Sequence, residues 1–113
     1  MTLQEREARA CAIIDNMAPE LRAISLYLHD NPELGLNEHK AVKAIHQFLE
    51  KQNFISQVGL ADMRELQTAL RADYRGNAKY KIAFLGEYDA LPELGHGCGH
   101  NLIAMMSLGA AVA

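Results

Sequence analysis

The sequence lacks the features that define several classes of protein. It has no tryptophan and only two cysteines, Cys11 and Cys98, too few for the disulfide framework of a small secreted scaffold. Its N-terminus has no apolar stretch of the kind found in secretory signals, so we expect the cysteines to be unpaired and the protein to be cytoplasmic. The longest apolar stretch, residues 102–113, is well short of the roughly 20 residues that span a membrane.

Charge and length narrow the function classes further. The 11 basic residues are outnumbered by 14 acidic ones and form no stripe, so nucleic acid and membranes are not expected partners. Half of the residues are hydrophobic, as in globular proteins. A chain of 113 residues therefore has material for one domain, over residues 1–113, with a modest core.

The first half of the chain has the apolar spacing of helices. Over residues 10–29 the spacing is that of one helix face, and Pro19 is expected to interrupt or restart this helix. A turn follows at residues 31–37, where Asn37 can cap a second helix. In that helix the apolar residues of 41–49 share one face. These patterns predict two helices joined by a short turn.

The second half changes to strand patterns. Residues 54–58 and, more weakly, 68–74 alternate as strands do, and residues 78–86 are apolar on both faces, which predicts a central strand. Residues 102–113 form an apolar segment with no polar face, so as a helix they need burial on all sides. Helices, strands and a buried helix predict an α/β fold, and the apolar ending predicts that the chain is the front of something larger.

One stretch, "GEYDALPELGHGCGH" over residues 86–100, carries most of the chemistry. It lies between the predicted central strand and the last helix, where open α/β sheets bind ligands. The thiol of Cys98 and the imidazole of His100 suit zinc and similar metals, and together they supply half of a site. Asp89 could be a further ligand, or an acid that orients a ligating histidine.

Two other interpretations of this stretch stay open. Cys98 precedes a predicted helix N-terminus, whose partial positive charge favours a nucleophilic thiolate, and His96 or His100 could act as its base. Alternatively, the stretch is a tight turn without function. Residues elsewhere are expected to be ordinary surface, turn or core groups: His29, His39, His46, Glu33, Glu87, Glu93, Met105, Met106 and Cys11.

Two longer runs of sequence resemble a known family. "HDNPELGLNEHKA" and "IAFLGEYDALPELGHGCGHNLI" are similar to the amidohydrolase branch of the aminoacylase and glutamate-carboxypeptidase metallopeptidases, which includes aminobenzoyl-glutamate hydrolases and aminoacylase-1-like dipeptidases. The resemblance implies a zinc-peptidase-like α/β catalytic domain, with a mixed sheet flanked by helices. Residues 1–113 would be its truncated N-terminal part, without the family's lid domain.

The resemblance also implies an activity and a site. Family members hydrolyse amide bonds in N-acyl amino acids or small peptides with two bridged divalent ions, zinc or else manganese or cobalt, and full-length members are commonly homodimers. By motif, Cys98 and His100 match metal ligands and Asp89 matches a supporting acid, whereas the role of His96 is open. The family's general base lies in a later Glu-Glu pair, so this chain alone is expected to be inactive. A non-catalytic metal-binding fragment and a cysteine-nucleophile hydrolase are the alternatives.

Overall fold

The fold is a mixed α/β arrangement of three helices and one small sheet, as the sequence predicts. A computed structural model describes residues 1–60 and 64–113. In chain order the elements are α1 (Leu3–Asp30), α2 (His39–Lys51), β1 (Ile55–Val58), β2 (Leu70–Asp73) and α3 (His100–Val112). None of these helices combines the length and the apolar character needed to cross a membrane.

Helix α1 begins with a capping box and runs without a break. The Thr2 hydroxyl accepts the Glu5 amide at 3.2 Å, and the Glu5 carboxylate accepts the Thr2 amide at 2.6 Å. The expected interruption at Pro19 is wrong, because the helix continues through it. Met17 and Leu21 are buried on either side of the proline, so packing holds the helix together despite the hydrogen bond that proline cannot donate.

The core lies where the three helices meet. Phe48 of α2 and Leu28 of α1 are the largest fully buried side chains. Helix α3 packs along α1, and the buried Asn101 amide donates to the Ser25 hydroxyl at 3.1 Å. The cluster draws on all three helices and contains Met17, Leu21, Ile45, Phe48, Leu49, Ala104, Met105 and Leu108.

Burial of α3 is one-sided, which corrects the expectation that it would be covered all round. Leu108 lies in the core, but Leu102 and Met106 on the other side are 58% and 73% exposed. Gly109 allows the close approach to α1, since a Cβ there would lie 3.4 Å from a Leu21 methyl carbon. A helix satisfies its own backbone hydrogen bonds, so it stays intact with one apolar face uncovered.

Two of the three predicted strands form. β1 and β2 pair antiparallel, with Ile55 opposite Asp73 and Val58 opposite Leu70. The predicted central strand at 78–86 is wrong, since these residues have no regular secondary structure and Ile82 is 83% exposed. A central strand needs hydrogen-bonded neighbours, and here a cleft of about 710 Å³ lies between β2 and this segment.

Candidate functional site

The loop before α3 folds back on itself through two tight turns. Leu91 and Gly95 exchange both backbone hydrogen bonds, at 2.8 and 3.1 Å, and the Gly99 amide donates to the His96 carbonyl at 3.0 Å. Gly95 and Gly99 have φ values of 58° and 82°, a left-handed conformation that favours glycine. The turns return the chain, so that Asp89 at the start of the loop meets the first residue of α3.

That meeting is a carboxylate–imidazole pair. His100 Nδ1 lies 2.8 Å from Asp89 Oδ1 and 3.0 Å from the Asp89 carbonyl oxygen. Both oxygens can only accept, so Nδ1 carries the proton and the lone pair of Nε2 remains available. Histidines that bind metals are commonly held in this way, with the other ring nitrogen donating to a carboxylate or carbonyl.

Cys98 stands apart from this pair. Its thiol is free and exposed, at the outer side of the turn that precedes α3. Within residues 1–60 and 64–113, no three histidine, cysteine, aspartate or glutamate side chains lie close enough together to hold a metal ion. The structure thus joins Asp89 to His100 without assembling a complete set of ligands around them.

His96 is the buried member of the loop. It is 9% exposed, and its Nδ1 atom is shielded from solvent without a hydrogen-bond partner in the described part of the chain. Burial lowers the pKa of His96, and the charges of His29 and His100 lower it further. The imidazole is therefore held neutral beneath the loop.

Sequence reasoning missed that two separate motifs meet at this site. The "NPELG" turn lies beside "DALP": Leu34 and Ala90 form a parallel bridge, and the Ala90 amide donates to the Glu33 carbonyl at 2.7 Å. A Cβ on Gly35 would lie 3.9 Å from Asp89 Oδ2, so this turn also borders the carboxylate. Recurrence of the acid and glycine in "NPELG" beside "DALPELG" gave no sign of the contact.

Tyr88 was likewise not singled out from the sequence. Its hydroxyl donates to the Thr68 carbonyl, and the Thr68 hydroxyl donates to the Glu38 carboxylate. Burial, with a smaller effect of the Glu38 charge, raises the pKa of Tyr88 to about 12. The residue before Asp89 is therefore tied to the start of α2.

Most of the weaker candidates are surface groups. His46 contacts Ser56 at 2.5 Å and Glu50 at 3.4 Å, on the outer side of α2. Met105 is in the core as expected, but Met106 is exposed because it lies on the uncovered side of α3. The remaining exposed candidates are His29, His39, Glu87, Glu93 and Cys11.

Known proteins similar to this chain are hydrolases. It is 38% identical over 116 residues to the Xaa-Arg dipeptidase of Mus musculus, and 34% identical over 119 residues to that of Homo sapiens. Each match covers 97% of this chain and 27% of the relative. A p-aminobenzoyl-glutamate hydrolase from Escherichia coli strain K12 is 32% identical over 101 residues, which cover 74% of this chain and 20% of that protein.

These matches set the scale of what the chain represents. It spans about a quarter of the length of the curated dipeptidases that it matches. A scan against models of protein families finds no match.

Proposed function

We propose that this chain, a homologue of the amidohydrolase branch of the aminoacylase and glutamate-carboxypeptidase family, is part of an enzyme that hydrolyses amide bonds in N-acyl amino acids or small peptides. The support is its similarity to proteins named Xaa-Arg dipeptidase and p-aminobenzoyl-glutamate hydrolase. Both names describe compounds in which an amide joins an acyl group to an amino acid. The chemical class of substrate is therefore shared, although the side chains differ.

The observation that carries the proposal is the hydrogen bond between Asp89 and His100. It presents the His100 Nε2 lone pair, and a histidine nitrogen with the Cys98 thiolate is a donor set that suits zinc, with manganese or cobalt as alternatives. The fit is partial, because the described residues supply no third donor nearby. When bound, such ions activate water and polarise the scissile carbonyl.

The roles of the chain's own residues follow from this. Asp89 would fix the tautomer and ring orientation of His100, and Cys98 and His100 would bind the ion or ions. Both cysteines are free thiols, which is the state favoured in the reducing cytoplasm, where we place the protein.

The test is hydrolysis of a panel of N-acyl amino acids and dipeptides, including dipeptides that end in arginine, with and without added divalent metal. In a protein of the relatives' length, we expect metal-dependent turnover that Cys98→Ala and His100→Ala each abolish. Residues 1–113 alone should give no turnover. Full activity of the Cys98→Ala protein would overturn the ligand assignment, and robust turnover by residues 1–113 would overturn the view that this chain is only part of the enzyme.

The exposure of Cys98 before the N-terminus of α3 keeps a second candidate, a cysteine-nucleophile hydrolase. The two functions differ in how zinc affects alkylation of Cys98 by iodoacetamide. Protection by zinc supports the ligand role. Rapid alkylation that zinc does not slow, together with hydrolysis in the presence of a chelator, would support the nucleophile instead.

A further inference from the structure

Glu33 caps a helix that begins several residues after it. Its Oε1 accepts the amides of Lys40 and Ala41, both at 2.9 Å, and its Oε2 accepts the Lys40 amide at 3.0 Å. The N-cap residue of α2 itself, Glu38, makes no capping bond with its side chain. The Glu33 carboxylate thus supplies the missing cap and places a negative charge at the positive end of α2.

The backbone of the same residue holds the site. The Glu33 carbonyl accepts the Ala90 amide at 2.7 Å, and Ala90 is only 4% exposed. Ala90 follows Asp89 directly, so this bond fixes the chain on the C-terminal side of the carboxylate. One residue therefore connects the first turn of α2 to the Asp89 backbone.

The chain on the other side of Asp89 is tied to the same helix end. Tyr88 bonds to the Thr68 carbonyl, and the Thr68 hydroxyl bonds to Glu38 at the N-cap of α2. Thr68 is 2% exposed, so this connection is shielded from water. The first turn of α2 thereby sets the position of the chain both before and after Asp89.

We propose that Glu33 is a positioning residue for the Asp89–His100 pair. By capping α2 and binding Ala90, it sets the height at which the Asp89 carboxylate meets His100 Nδ1. A hydrogen bond of 2.8 Å leaves little tolerance, because shifts of about 1 Å are enough to disable a site. The consequence for metal binding depends on the proposed function, but the consequence for the His100 tautomer does not.

The test compares Glu33→Ala with Thr2→Ala in the 113-residue chain. Thr2→Ala removes a side-chain cap from α1, far from Ala90, and so controls for the loss of a helix cap. The first readout is the ¹⁵N chemical shifts of the His100 ring. We expect one tautomer, with Nδ1 protonated, in the parent and in Thr2→Ala, and a mixture of tautomers in Glu33→Ala.

The second readout is zinc affinity by calorimetry, with zinc as the only ligand. Changes to partners of a ligating histidine weaken metal binding by about 10–100-fold, so we expect a loss of about tenfold in Glu33→Ala and none in Thr2→Ala. If the parent binds no zinc, the proposed function fails while the tautomer readout still decides the positioning role. An unchanged His100 tautomer in folded Glu33→Ala would overturn that role.

A variant that keeps the side-chain volume guards against unfolding. Glu33→Gln retains one acceptor oxygen but turns an amide NH₂ toward the donors of α2, so it should disturb the tautomer less than Glu33→Ala does. If Glu33→Ala does not fold, as judged by circular dichroism, Glu33→Gln decides. A single His100 tautomer and parental zinc affinity in that variant would then count against the proposal.

Discussion

Two apolar segments, α3 and residues 78–86, flank the candidate site and differ in their fate. Both predict burial from sequence. In α3, Ala104, Met105 and Leu108 are in the core, whereas Ile82 and Leu85 of the other segment are 83% and 87% exposed. The difference lies in the backbone, because a helix bonds internally and needs packing on one face only, whereas a strand needs neighbours for its amides as well.

The contrast teaches where stability and where association should reside. The helical side of the site has a packed core, so changes there act on the free energy of unfolding. The 78–86 segment presents apolar side chains and backbone groups without strand partners, so changes there act on contacts between molecules. The following predictions test this division.

The largest expected effect is on the stability of the helical side. Leu108→Ala should lower the free energy of unfolding by about 2–5 kcal/mol, because it opens a cavity in the cluster shared with α1. Ile82→Ala, which removes a similar volume from an exposed position, should change it by about 0.5 kcal/mol or less. Urea denaturation of both variants measures the difference. Equal losses would mean that residues 78–86 are packed in solution.

A second effect concerns self-association. We expect the 113-residue chain to self-associate, since its exposed apolar residues lie near one another along 80–85. Ile82→Lys should reduce the apparent mass in light scattering more than Met106→Lys does, although Met106 is also 73% exposed on α3. A monodisperse monomer with cooperative unfolding would contradict the expectation, and a larger effect of Met106→Lys would place the sticky surface on the helix.

A smaller effect arises at Tyr88, where the exposed segment becomes anchored. Its pKa is raised from 10 to about 12, so the folded state keeps the phenol proton more tightly than the unfolded state does. The associated stabilisation is complete below pH 10 and is lost as the pH rises from 10 toward 12. Tyr88→Phe cannot titrate, so its urea midpoint should fall less over this range. The same decline in both proteins would argue against a buried, hydrogen-bonded phenol.

Local signals account for the parts of the fold that sequence predicts. Strands β1 and β2 follow from alternation alone, and the chemistry of residues 86–100 is visible in its residue types. Non-local packing decides the rest. Pro19 lies within a continuous helix because Met17 and Leu21 are held by α3, and the 78–86 segment lacks the neighbours that its composition predicts.

The candidate site shows the same division. Asp89 and His100 meet through turns that the glycines of their own loop permit. The Glu33 cap, by contrast, reaches the amides of Lys40 and Ala41 across an intervening turn, and sequence signatures of capping look only three residues ahead. Contacts of this kind depend on the tertiary path of the chain and leave no periodic pattern.

The central claim, that Cys98 and His100 bind a divalent ion, is tested most directly by a cobalt(II) titration of the chain. A thiolate ligand gives a sulfur-to-cobalt charge-transfer absorption band. We expect a weak-binding isotherm with this band, displaced by zinc, lost in Cys98→Ser, weakened in His100→Ala and unchanged in the control Cys11→Ser. Absence of the band from the parent chain, or a band that survives Cys98→Ser, would contradict the account.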